Sequence, residues 1–208
     1  MQWQFWIIQT LNSLAFGGLL FLLSSGFSLI FGLMRIPNLT HGSLFMLGAY
    51  FGATLIIGVL GVQLNFWFAA ILATAAVALL DRTRLGAMIR AGVDDPAMAR
   101  VVGIRVSRLF TIVFCLGAWL AGFAGVIGGP ILSVYPGLDQ EMLPLALVVV
   151  ILGGSGSLLG SLVGSFIVGF LYNFGQALFP ELAYVVLFLP MLVVLVLRPQ
   201  GLFGRQAG

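Results

Sequence analysis

Apolar residues run along this chain in long stretches broken by short polar interruptions, the pattern of membrane helices. The stretches predict spans near residues 5–33, 43–60, 64–80, 109–129, 142–152, 158–178 and 183–197. A β-barrel would need short segments of alternating hydrophobicity, which are missing. The expected fold is all-α: one polytopic membrane domain over residues 1–208 with about seven transmembrane helices. Its weakest crossing is 142–157, which also reads as a half-helix that enters and leaves one face. Met1 to Met34 carries no charge and lacks the basic start of a cleaved leader, so it reads as a retained span.

The interruptions carry the topology. Residues 82–108 hold six of the nine arginines, and the adjoining Asp81 brings the acids there to three of six. Such a block is excluded from hydrocarbon, and its arginine excess places it on the cytoplasmic side. Counting alternate crossings from there puts Arg35, Arg198 and Arg205 inside as well. Asp139, Glu141 and Glu181 fall outside, as does the N-terminus. Between the first two spans, Arg35-Ile-Pro-Asn-Leu-Thr-His-Gly42 breaks the apolar run. Pro37 lacks a donor and turns Ile36 away from helix. Ile36–Gly42 is expected to be non-helical and to border a polar cavity, with Asn38, Thr40 and His41 satisfying loose backbone groups. For His41 alone, a polar connection at the membrane surface is the simpler reading.

The arginine-rich loop also has the signals of folded structure. Asp95 is placed to cap a helix and Pro96 to occupy its first position. Ala97 to Val102 supply the helix, and Gly103 is placed to end it. Arg100 lies in the last turn, where a cation suits the dipole. Ala97, Met98, Val101 and Val102 give this short element apolar surface. A second short helix is expected at Leu85–Ala91, ending at Gly92. The pair reads either as a docking surface or as a solvated loop whose arginines only set topology.

Composition narrows the function. Of 208 residues, 61% are hydrophobic and 7% charged, against roughly 25% charged in a soluble domain. The chain has no lysine, so it carries no Walker A phosphate loop, and ATP-driven work needs another subunit. No enzyme activity, cofactor or metal ion is implied. The formal charge of +3 comes from arginines grouped by topology and does not argue for nucleic acid. The single Cys115 excludes an intrachain disulfide and is expected to be a small buried hydrophobe.

Three further patterns have plain alternatives. Ser13, Gly17, Ser24 and Ser28 fall near one face of the first span, with Gln9 nearby; they suit a polar translocation path or interhelical hydrogen bonds equally. Ala118 with Gly122, and Gly160, Gly164 and Gly169, have helix-packing spacing, better explained by ordinary packing than by a dimer. Gly153-Gly-Ser-Gly156 fits the GxSG pattern of rhomboid-type intramembrane proteases, with His41 as partner. In those proteases the histidine follows the serine, and here none does, which disfavours a hydrolase.

Four stretches together resemble the permease subunits of branched-chain amino acid ABC importers, most closely the first of the two paralogous permeases. They are SLIFGLMRIPNLTHGSLFMLGAY (28–50), RTRLGAMIRAGVDDPAMARVVGIRVSRL (82–109), VVVILGGSGSLLGSLVGSFIVG (148–169) and RPQGLFG (198–204). The resemblance implies that the loop helix, Asp95 to Gly103, fits a cleft on an ATPase subunit. It further implies a paralogous permease, a periplasmic or extracellular substrate-binding protein, and a bacterial-type inner membrane whose lipid surrounds the spans. Branched-chain amino acids are the implied cargo, with urea or short amides in related permeases. Family members are longer: a basic loop and about two further spans, expected where LATAAVALL meets Asp81-Arg82-Thr83, are absent. A non-transporting scaffold is the competing class.

Overall fold

The computed structural model describes residues 2–34, 37–55 and 83–204. Among these the regular elements are helices: α1 (Gln2–Met34), α2 (Thr40–Leu55), α3 (Arg84–Asp94), α4 (Pro96–Val101), α5 (Val106–Leu132), α6 (Leu138–Gly153), α7 (Leu158–Leu178) and α8 (Ala183–Leu197), with a 3₁₀ turn at Pro180–Leu182. The expected third span, 64–80, lies outside the described residues.

Four of these segments are long and apolar enough to cross a membrane: Trp3–Met34, Val106–Leu132, Leu158–Leu178 and Pro180–Leu197. The 16 residues of α6 reach only about 24 Å, short of a hydrocarbon core of about 30 Å, and α2 is described only as far as Leu55. α1 is the central helix: 78% of its most apolar window is buried, against 11% for the last span.

Glycines set the packing, because the seams between helices are closer than side chains allow. α1 lies antiparallel to α5, with Gly26 against Gly117 and Leu19 against Gly128. It is also antiparallel to α7: Gly17 meets Phe166, and Gln9 Nε2 donates to the Asn173 carbonyl at 2.7 Å. α2 runs parallel to α5, Gly48 on Gly122 and Gly52 on Val126, where an added Cβ would strike backbone. α6 and α7 form an antiparallel hairpin, Gly153 on Gly160 and Val149 on Gly164. The ends of α1, α6 and α8 that run toward the arginine loop therefore share one side of the bundle. Glu181 begins an element at the other, while Asp139 at the start of α6 meets the start of α2, where Ser43 Oγ donates to Asp139 Oδ2 at 3.3 Å.

Two local readings are corrected. Gly92 does not end α3, which continues to Asp94. It is buried where α3 crosses the ends of α1 and α5, and a Cβ there would lie 2.8 Å from Leu109 and 3.1 Å from Leu33. Close approach, not termination, calls for glycine at this position. Cys115 is exposed rather than buried. It lies on the outward face of α5 with Ile112, Phe114 and Trp119, which are exposed as well.

Candidate functional site

The short helix α4 is built by its own ends. The Asp95 carboxylate accepts from the backbone N–H of Ala97 at 2.8 Å and of Met98 at 3.0 Å, satisfying two donors the first turn leaves open. Pro96 occupies the first turn, where no N–H is needed. At the other end Gly103 takes φ +88°, its N–H donates to the Arg100 carbonyl and that of Ile104 to the Ala99 carbonyl. This paired closure is a Schellman motif, which favours glycine at the left-handed position. The helix spans Pro96–Val101, starting at Pro96 as expected and ending one residue early, with Val102 as its C-cap.

One side chain of α4 turns inward: Ala99 is 2% exposed. The others turn outward. Met98 is 60% exposed, Val101 80% and Val102 68%, and Ala97 and Arg100 are exposed too. Three large apolar side chains thus stand open on a loop that the arginine count puts in water. Surface of this kind, held on a rigid capped element, is what a partner cleft buries.

The polar residues of α1 and α2 present the opposite case. Ser13, Ser24, Ser28 and His41 are at most 1% exposed. Ser13 and Ser24 return their hydroxyls to the Gln9 and Phe21 carbonyls of their own helix. Ser28 Oγ accepts from the Gly156 N–H at 3.2 Å, joining α1 to the turn between α6 and α7. The face carrying Gln9, Ser13, Gly17 and Ser28 is therefore the seam against α7. His41 Nε2 meets the Leu23 carbonyl at 2.9 Å and its ring packs against Phe27. Leu23 lies 11 residues before the end of α1, so α2 starts roughly 16 Å back along it. Pro37 and Asn38 are non-helical, Leu39 is a turn and helix begins at Thr40, whose N–H donates to Asn38 Oδ1 at 3.1 Å. Thr40 to Gly42 are thus helical, one turn more than the sequence suggested.

A further junction has no local signal in the sequence. After α8 the tail folds back on the end of α6: the Leu202 N–H donates to the Leu152 carbonyl at 2.8 Å and that of Phe203 to the Gly153 carbonyl at 3.0 Å. These bonds take up carbonyls that a helix end leaves open. Gly154 and Gly201 both adopt positive φ, and a Cβ on Gly201 would strike the backbone of Gly154, as one on Gly154 would strike that of Gly204. The glycine-rich turn and the RPQGLFG tail are therefore one structural unit, with Ser28 of α1 attached. No arrangement of Ser155 with His41 supports hydrolysis: Ser155 is exposed in the turn, whereas His41 is sealed against Leu23 and Phe27.

Comparison with known proteins agrees with this architecture. The chain is 32% identical over 148 residues to the high-affinity branched-chain amino acid transport system permease protein LivH of Escherichia coli, covering 69% of this chain and 47% of that protein. It is 33% identical over 128 residues to BraD of Pseudomonas aeruginosa, also named a high-affinity branched-chain amino acid transport system permease protein, covering 61% and 42%. It is 36% identical over 121 residues to the ribose import permease protein RbsC of E. coli, covering 55% and 38%. The chain thus spans about half the length, or less, of the curated relatives it matches. No solved structure matches it. A family profile for the permease component of branched-chain amino acid transport systems matches residues 57–195, and the chain belongs to that family.

Proposed function

We propose that this chain serves as the membrane-spanning subunit of an ATP-driven importer, with branched-chain amino acids as cargo. It works beside ABC ATPase subunits, a paralogous permease and an external substrate-binding protein, in a bacterial-type inner membrane. The observation that carries this reading is α4. A six-residue helix is too short to be stable by propensity alone, yet both of its ends are closed and its apolar face is open. Such an element suits seating in a cleft of an ATPase subunit.

The permease itself does no covalent chemistry in this reading. ATP-driven closure of the partner moves α4, which is tied through α3 and Ile104 to the ends of α1 and α5. Asp95, Pro96 and Gly103 hold the shape, while Ala97, Met98, Arg100 and Val101 meet the partner. Ser13, Ser24, Ser28, Asn38 and His41 form the frame of the translocation path rather than its lining, since the four buried ones are closed off and Asn38 caps α2. The relatives named for branched-chain amino acids favour that cargo over ribose.

The test is reconstitution with candidate ATPase subunits, reading co-purification and substrate-stimulated ATP turnover. Met98→Asp places a charge where apolar contact is expected and should abolish assembly or turnover while membrane insertion stays intact. Gly103→Pro removes the N–H bonded to Arg100 and forbids the positive φ, with the same expected result. Parental assembly and turnover in both variants would reject α4 as the coupling element. Assembly without substrate-stimulated turnover in the parent chain would favour the scaffold.

A further inference from the structure

At the end of the bundle away from the arginine loop, α6, α7 and α8 line an open cavity of about 90 Å³, with Gln140, Glu141 and Tyr184 exposed at its mouth. Its polar wall is the start of α6, Gln140 and Glu141. Its aromatic wall is Tyr172, Tyr184 and Phe188, with Leu187 beneath. Pro144 also lines it, and a proline four residues after Gln140 cannot donate to the Gln140 carbonyl. The cavity is thus lined by a carboxylate residue, a residue whose carbonyl lacks its helical donor and three aromatic rings. All of these attract a cation. The described arginines, Arg84, Arg90, Arg100, Arg105, Arg108 and Arg198, lie in or beside the elements of the opposite end. The phenol of Tyr135, in the connection before α6, is pushed up to about 12, first by its hydrogen bond to Glu141, then by burial and by the Glu141 charge. The phenol therefore stays a donor, steering the carboxylate while leaving it acceptor capacity.

The cavity adjoins α8, the least buried of the described spans, whose Val185, Leu189, Leu192 and Val196 are all more than half exposed. Tyr184 opens that helix, at the depth where tyrosines meet lipid headgroups. We propose that this cavity binds a primary ammonium group, with Glu141 as its counter-ion and the tyrosines as its walls. The setting, between a lipid-facing helix and the membrane surface, suits an aminolipid headgroup of the ethanolamine type. A soluble alkylamine has the same ammonium chemistry.

Native mass spectrometry of the delipidated full chain tests this with equimolar phosphatidylethanolamine and phosphatidylglycerol of matched acyl chains. The chain should retain the ethanolamine lipid in preference by on the order of fivefold. Glu141→Gln should bring the ratio near one, and Tyr184→Leu should lower it with helical content unchanged. Excess free ethanolamine separates the sources: displacement of the lipid assigns recognition to the amine alone, persistence to the whole lipid, and both support the ammonium site. Equal retention of the two lipids by the parent chain, or a preference that survives Glu141→Gln, would overturn it.

Discussion

The seam of α1 and the helix α4 invert the usual placement of polar and apolar residues. Inside the bundle, Ser13, Ser24, Ser28 and His41 are buried and turned to backbone groups. On the water-facing loop, Met98, Val101 and Val102 stand open. Each inversion has a physical reason. A hydroxyl in hydrocarbon is tolerable when it bonds a carbonyl of its own helix or a neighbouring N–H. An apolar side chain in water is tolerable on a short capped helix when a partner covers it. The buried polar groups therefore read as construction, and the exposed apolar ones as recognition.

The largest effect should come from the buried side. Gly48→Leu would drive a side chain into the backbone at Gly122, and overpacking of this kind costs about 3 kcal/mol. Thermal unfolding in detergent should show a marked loss of stability, or no folded protein at all. If the variant unfolds like the parent, the α2–α5 seam is looser than described. His41→Leu removes the bond to the Leu23 carbonyl, and a drop of about 1 kcal/mol is expected by the same measurement. A larger fall in transport than in stability would give His41 a role in the path and weaken the contrast with α4.

On the loop side, Asp95→Ala leaves the N–H groups of Ala97 and Met98 without their acceptor. The helix should lose about 1 kcal/mol, read as faster amide exchange at residues 97–103, with insertion and global unfolding unchanged. The smallest effect is expected for Ser24→Ala, whose hydroxyl only returns to Phe21 at 3.4 Å. A shift within about 0.5 kcal/mol and unchanged transport would sharpen the reading of that face as packing.

What the sequence made legible follows from the range of each signal. Helices α7 and α8 run over the residues expected, because Ser157 caps the first and Pro180 separates the two. α4 was legible within a residue because Asp95, Pro96 and Gly103 act on their immediate neighbours. Contacts between distant residues were not legible. Nothing near His41 points to Leu23, nothing near Ser28 points to Gly156, and nothing in Leu202 points to Leu152. Gly92 shows the ambiguity directly: glycine ends helices and also lets them touch, and only the positions of Leu33 and Leu109 decide between the two. The openness of the α4 face also came only from the structure, since the same four apolar residues would suit a helix folded back on the bundle.

The central claim, that the outward face of α4 meets an ATPase subunit, is tested most directly by photo-crosslinking in the assembled complex. A photoreactive residue at Val101, 80% exposed, should capture the ATPase subunit, whereas the same residue at Ala99, 2% exposed, should not. Capture from both positions alike, or from neither while the complex remains assembled, would contradict the account.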